Sequence, residues 1–261
     1  MHRFFLPPEF WTRATLGPDE SRHCVNVLRH TPGDLVSVFD GAGRQALAEI
    51  VSASPRAVTL SISTENLQTP PPCRITLAQA IPKGKNMDLV VQKAVELGAA
   101  RIVPLLTERT IVRLAPGELE KKREKWHEIA IEACKQCGQN FLPSVELPHA
   151  LGDFLSGPFL PDFLLLASLQ PDARPLKSLL AAFESAHGSL PRNVGVLIGP
   201  EGDFSPAECE LARESGAEPM TLGPIVLRTE TAAIYCLSVL AHELFPPEPW
   251  MPANLPPPCQ P

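Results

Sequence analysis

Apolar and polar positions alternate with a period of two through the first quarter of the chain. Leu35–Phe39 reads as a half-buried strand, Asp40-Gly41-Ala42-Gly43 as a turn, and 45–51 and 57–62 as further strands. Only a short helix-like piece around 23–29 interrupts them. Several short strands divided by glycine turns predict a small β-barrel over residues 1–70. Thr69-Pro70-Pro71-Pro72 then breaks the chain, because a proline run stiffens the backbone and cannot join a sheet.

Beyond this linker the period changes. Residues 75–81 form a predominantly apolar run, which suits a strand buried on both faces. Met87, Val90, Val91, Ala94 and Val95 recur at spacings of three and four, one stripe of a helix that stops at Gly98. Residues 101–106 are strand-like, 118–137 form a long helix ending at Gly138, and 163–169 and 194–199 are two more buried strands. Ser205-Pro206-Ala207-Glu208 opens a helix: serine caps it, proline takes its first position and Glu208 completes a capping box. A short strand near Pro219 and a last helix over 231–244 follow. Strands alternating with helices predict an α/β domain with a mostly parallel sheet over 74–245. The proline-rich tail 246–261 is expected to be disordered.

Charge is uneven along the chain. The net charge is −6, yet residues 74–140 hold twelve Lys and Arg against eight acids, while 141–261 hold five against fourteen. A basic middle in an acidic chain suits a phosphate-facing patch, although Lys121, Lys122, Arg123 and Lys125 alternate with glutamates as a solvated helix face does. No apolar run reaches the ~18 residues of a membrane span, and the start is broken by proline too soon for a secretory signal; a cytoplasmic protein is expected. Seven scattered cysteines argue against a disulfide framework. Cys134-x-x-Cys137 has no second pair and no histidines at ligand spacing, so no metal is expected.

Two segments concentrate chemistry. VGVLIGPEGDF, at 194–204, runs from a buried strand through Gly199-Pro200-Glu201-Gly202 into the capped helix. Such loops, at the carboxyl ends of strands, are where α/β sheets bind ligands. It carries neither the phosphate-loop nor the dinucleotide glycine pattern; a plain strand–turn–helix connection would read the same. TLGPIVLRTETA, at 221–232, crowds polar groups at the start of the last helix. Thr229 or Thr231 would cap that helix, and Glu230 suits its N-terminus. Arg228 is unfavourable there, so it should face an anionic partner or pair with Glu201 or Glu230.

Eight segments in order make the chain resemble the RsmE family, which methylates a uridine of bacterial 16S ribosomal RNA at ring nitrogen 3. They are HRFF at 2–5, HCVNVLRHTPGD at 23–34, FDGAG at 39–43, K-x-x-x-M-D with QKAVELG at 83–98, PLLTERTIVR at 104–113, KWHEIAIEACKQCG at 125–138, IGPEG at 198–202 and LGPIVLRTETA at 222–232. The resemblance implies an N-terminal PUA-like β-barrel that binds RNA, then a SPOUT methyltransferase domain with a trefoil knot. It implies S-adenosylmethionine as cofactor, a homodimer, and 16S RNA in the small ribosomal subunit as partner.

On that resemblance the cofactor pocket is expected at Leu166, Ala167, Leu197, Ile198, Gly199, Pro200, Gly202, Leu222, Gly223, Leu227 and Thr229. Arg228 would stabilise negative charge on the uracil, with Glu201 or Glu230 orienting it or accepting the proton. Arg3, Arg29, Lys83, Lys85, Arg109 and Arg113 are candidate RNA contacts. The chain departs from the family pattern at Asn26, Gln139, Asp203 and Ile225: three departures remove a positive charge and Asp203 adds a negative one. Two alternatives keep the same fold: a methyltransferase acting on transfer RNA or another ribosomal site, or a non-catalytic RNA-binding assembly protein.

Overall fold

The computed structural model describes residues 1–111 and 115–246. The expected tail and the RNA candidate Arg113 lie outside the described residues. The chain forms two compact units, one of 1–70 with Ile131–Leu142, the other of Pro71–Ala130 with 143–246.

The first unit is built on four strands in the order β1 (Arg3–Phe5), β2 (Leu35–Phe39), β3 (Arg44–Ser54) and β4 (Ala57–Leu67). β1 pairs with β2 in parallel, and β2, β3 and β4 pair antiparallel. Two register shifts in the β3–β4 ladder, at Leu47/Ala48 and Ile50/Ser52, bend the strands as bulges do. Residues 14–16 cover the far edge of β4, through Leu16 N–H to the Val58 carbonyl and Leu60 N–H to the Ala14 carbonyl. Between β1 and β2 lie α1 (Pro8–Trp11), α2 (Pro18–Arg22) and a turn of π-helix, His23–Val27. The helix-like piece thus begins earlier than its hydrophobic pattern suggests. The core gathers Phe4, Leu6, Trp11, Val36, Val38, Ile50, Val58 and Leu60.

Residues 131–142 join this unit for a polar reason. The ammonium of Lys135, nearly buried, reaches Glu20 at 3.1 Å and Glu132 at 2.8 Å. Arg3 donates to the Gln139 carbonyl and the Asn140 side chain, and stacks 4.2 Å from the Phe39 ring centre. Burial pulls the Arg3 guanidinium down to about 10. Buried charges need such partners, which hold the segment in place.

The second unit carries a parallel sheet in the order β11-β9-β10-β5-β6-β7, with β8 also on β6. Its elements are β5 (Arg74–Ala80), α3 (Asn86–Glu96), β6 (Arg101–Leu106), the part of α4 (Pro116–Cys137) up to Ala130, β7 (Ser144–Val145), β8 (His149–Ala150), α5 (Leu151–Leu155), β9 (Phe163–Ala167), α6 (Leu176–His187), β10 (Asn193–Ile198), α7 (Pro206–Glu214), β11 (Glu218–Met220) and α8 (Thr229–Leu244). Every pairing is parallel. The outer partner of β6 changes at Pro104. Ile102 still accepts from Glu146, but two residues on proline has no N–H to continue that ladder, and β8 takes over at Leu105. One sheet face, with Ala78, Val103, Leu105, Leu164, Leu166 and Leu197, packs on α5 and on Ala212 of α7. α8 lies against β5, β10 and α3. The capping box at Ser205 is present in full.

Candidate functional site

A cavity of about 480 Å³ opens at the carboxyl ends of β9, β10 and β11. Parallel strands all deliver their following loops to one edge, which is why loops distant in sequence meet there. The end of β9 and the loop after it line the cavity at 167–169, the end of β10 and its loop at 198–201 and 203, and the segment after β11 at 222 and 225–230; Asn86 and Ala232 complete the lining.

Hydrogen bonds fix the loop after β10 on several sides. Thr229 Oγ1 donates to the Gly199 carbonyl at 2.7 Å and accepts from Gln79 Nε2 at 2.9 Å. Glu201 Oε1 accepts the Lys83 backbone N–H at 2.9 Å. Arg109 Nη1 donates to the Gly202 carbonyl at 2.7 Å. A Cβ at Gly199 would lie 2.9 Å from Asp203 Oδ1 and 3.2 Å from the Phe204 nitrogen, so a side chain there would push Asp203 and Phe204 aside. Asp203 itself has φ +61°, a left-handed conformation that Asp tolerates through local hydrogen bonding. Its Oδ1 accepts from the Phe204 N–H at 2.8 Å.

The last helix begins at Thr229, with Arg228 in the capping position and no side-chain cap. Both expected threonine caps are therefore corrected: the Thr229 hydroxyl points to the neighbouring loop, and Thr231 lies inside the helix. Arg228 is exposed and forms no ion pair with Glu201 or Glu230 among the described residues. The expected pairing with Glu201 or Glu230 is therefore corrected; the one side-chain contact of Glu201 among the described residues is the Lys83 backbone N–H on Oε1. The cavity thus carries one free guanidinium and three carboxylates, Glu201, Asp203 and Glu230.

The structure brings together Arg228, Glu201 and Glu230 with Ala167, Ile198, Gly199, Pro200, Leu222, Leu227 and Thr229 in this one lining. Leu166 and Leu197 do not line it. They stand one residue inside their strands, and alternation turns them to the opposite, fully buried face. Gly202 and Gly223 also lie outside the lining. Asp203, Ile225 and Val226, inside the two expected loops though not named for the pocket, line it as well, and Asn86, Ser168, Leu169 and Ala232 line it without having been expected. Loop position could have flagged Ser168 and Leu169; nothing in sequence pattern marks Asn86.

Of the RNA candidates, Arg29, Lys83, Lys85 and Arg109 are exposed, and Lys83 and Arg109 adjoin the loop after β10. Arg3 is corrected: its donors serve Gln139 and Asn140 inside the first unit. Cys134 is fully buried as a free thiol, its ionisation raised by that burial, and no cluster of metal-binding side chains occurs among the described residues.

The family model for an RNA methyltransferase domain matches residues 69–241, and that for an RNA methyltransferase PUA domain matches 16–63. The ribosomal RNA small subunit methyltransferase E of Bacillus subtilis is 33% identical over 228 residues, 86% of this chain and 88% of that protein. The chain belongs to the ribosomal RNA small subunit methyltransferase E family. The Synechocystis member of this family is 31% identical over 91% of this chain and 76% of its own. Among solved structures, the Neisseria gonorrhoeae methyltransferase E bound to S-adenosyl methionine superposes with a TM-score of 0.79 at 32% identity, over 93% of this chain and 98% of that one. A Legionella pneumophila protein in complex with the same cofactor gives 0.83 at 34%, with the same coverage. The family expected from the eight segments is therefore the family found, with its PUA-like N-terminal unit and α/β methyltransferase domain.

Proposed function

We propose that this member of the methyltransferase E family transfers a methyl group from S-adenosylmethionine to ring nitrogen 3 of one uridine in 16S ribosomal RNA, within the small ribosomal subunit. The observation that carries the reading is the cavity at the carboxyl ends of β9, β10 and β11, walled by the two glycine loops and bearing the free Arg228. Its volume lies within the roughly 300–1,000 Å³ of small-molecule sites. Apolar Ile198, Leu222 and Leu227 suit an adenine, and the excess of carboxylates suits a ligand with a sulfonium charge. No phosphate-binding lysine loop is present, and that ligand has no phosphate to bind.

S-adenosylmethionine supplies a methyl group already activated on sulfur. The protein's part is to position the uridine and handle one proton. Arg228, with no internal partner, stabilises negative charge on the uracil carbonyl oxygens as the N3 proton leaves. Glu201 is engaged by Lys83, so its part is to hold the loop. Glu230 has no such tie and is the carboxylate that orients Arg228 or accepts the proton. Lys83, Lys85 and Arg109 hold RNA phosphates beside the loop, and Arg29 does so from the N-terminal unit, whose residues 1–70 act as the RNA-binding domain.

Three further features belong to this reading. The segment 221–228 threads through the preceding chain as a trefoil knot, as the resemblance to the SPOUT methyltransferases implies. A second copy covers Ile225 and Val226, aliphatic side chains of the cavity loop that are 72% and 74% exposed. The protein acts in the cytoplasm, where its RNA is; no described helix is long and apolar enough to cross a membrane.

Mapping uridine methylation on 16S RNA from cells lacking the protein tests the substrate. One unmethylated uridine, restored by the purified enzyme, is expected. An intact 16S pattern with a lost transfer-RNA methyl group would move the activity to that substrate. Calorimetry with S-adenosylmethionine addresses the assembly-protein alternative, which predicts no binding.

A further inference from the structure

Gln79 lies at the end of β5, outside the cavity lining, with no exposed surface. Its Nε2 donates to the Ala80 carbonyl at 2.8 Å and to Thr229 Oγ1 at 2.9 Å. The orientation of the amide follows from its neighbours. A carbonyl can only accept, and Thr229 has already used its one hydroxyl hydrogen on Gly199, so both contacts require the NH₂ group. The other end of the amide, Oε1, is buried with no partner among the described residues.

The Ala80 carbonyl needs this donor because of a proline two strand positions away. From Arg74, whose N–H donates to the Arg192 carbonyl at 2.8 Å, every second residue of β5 bonds across to β10. Carried along the register, in which Gln79 stands opposite Ile198, the N–H due to the Ala80 carbonyl belongs to residue 200. That residue is Pro200, which has none. An unmet buried carbonyl is expensive, and Gln79 supplies from a side chain what the backbone lacks. The same NH₂ group also holds the hydroxyl that grips Gly199.

We infer that Gln79 is a positioning residue for the cofactor site: it replaces the hydrogen bond lost at Pro200 and couples the loop after β10 to the start of α8. It touches no ligand and acts through Ala80 and Thr229. A purely apolar residue would bury no orphan oxygen, so stability alone does not account for an amide here. The inference rests on the S-adenosylmethionine reading of the cavity, but its backbone half can be measured without any ligand.

The test is a double-mutant cycle with Q79M and P200A, since alanine at 200 restores the missing N–H. S-adenosylmethionine binding by calorimetry should weaken about tenfold in Q79M, the loss of one buried hydrogen bond. In the P200A background the same replacement should weaken it no more than about threefold. The KM for S-adenosylmethionine should rise with the affinity loss while kcat stays within about twofold, which a general folding defect would not produce. Wild-type affinity in folded Q79M, or equal losses in both backgrounds, overturns the inference. Should Q79M not fold, recovery of folding in P200A/Q79M supports it and failure to recover overturns it. If the wild-type protein does not bind S-adenosylmethionine, the cofactor reading fails by itself. Hydrogen exchange of residues 199–204 in ligand-free protein then decides, with faster exchange in Q79M expected and unchanged exchange overturning the role.

Discussion

Glu201 Oε1 accepts the backbone N–H of Lys83 at 2.9 Å, although 118 positions separate them in the chain. The contact ties the loop after β10 to the loop after β5. A side-chain–backbone bond of this kind limits how far the cavity wall can move before a ligand arrives, which lowers the ordering cost of binding. Glu201→Ala should therefore raise the Kd for S-adenosylmethionine by about tenfold, with Glu201→Gln less affected because the amide oxygen still accepts. Calorimetry on both variants checks this; equal affinity in all three proteins would remove Glu201 from the loop's support.

The Arg228 guanidinium in the cavity has no internal partner among the described residues. Replacing it with alanine should lower methyl transfer by roughly 10²–10³, the range seen when a donor to a developing anion is removed. Cofactor affinity should stay within about threefold of wild type. Single-turnover methylation alongside calorimetry separates the two effects, and near-normal turnover would sink the assignment.

Asp203 has φ +61° and accepts from the Phe204 N–H with its own carboxylate. Alanine there keeps the strained backbone and loses the bond, so Asp203→Ala should destabilise by about 1–2 kcal/mol. Asp203→Gly loses the same bond but relieves the strain and should be close to neutral. Thermal unfolding compares them; a glycine variant less stable than the alanine variant would contradict the argument.

Lys135 and Glu20 form a nearly buried pair whose burial raises Glu20 above the usual carboxylate range while Lys135 opposes the rise. Lys135→Met leaves the carboxylate buried and uncompensated, a loss of about 3 kcal/mol at neutral pH. The sign follows from Glu20. Its folded value, already above the unfolded one, rises further in the variant, so the folded state holds the proton more tightly and stability falls as pH rises above about 4.3. The penalty should shrink as pH is lowered towards that value. Denaturant titrations at pH 4.5 and 7 read the difference; a penalty independent of pH would assign the loss to packing.

Lys85 is exposed in the capping position of α3, its ammonium without a partner among the described residues. If it meets a phosphate, Lys85→Ala should lower the slope of log K against log salt for RNA by about 0.7–0.9. S-adenosylmethionine binding should not change. An unaltered slope would return Lys85 to the solvated surface.

Much of the architecture is legible along the chain, because hydrophobic period depends only on how each residue meets water. The buried runs at β5, β9 and β10, the stripe of α3 and the capping box of α7 all stand where their patterns put them. Two elements too short to show a pattern do not: β1 and α5 draw their order from the core they pack against, through Phe4 and through Leu151, Phe154 and Leu155. α6 was missed although Leu176, Leu179 and Leu180 mark a buried stripe at helical spacing. The two glycine loops are likewise marked by their residues alone, since a tight turn at a strand end is a local property.

What tertiary structure decided is how those residues are used. Thr229 reads as a helix cap, yet it bonds to Gly199 thirty positions away; Arg3 reads as a phosphate contact, yet it is bound inside its own unit. Gln79 falls inside a run whose pattern shows only a buried strand, and its task appears only when β10 is laid beside it with Pro200 in register. Sequence by itself determined the alternation of elements and the position of the loops, because these follow from local pattern, and the order of eight motif segments carried the resemblance to the family. The partner of each buried polar group was left to the fold, because a hydrogen bond is satisfied by whatever lies within 3 Å in space, and distance along the chain does not enter.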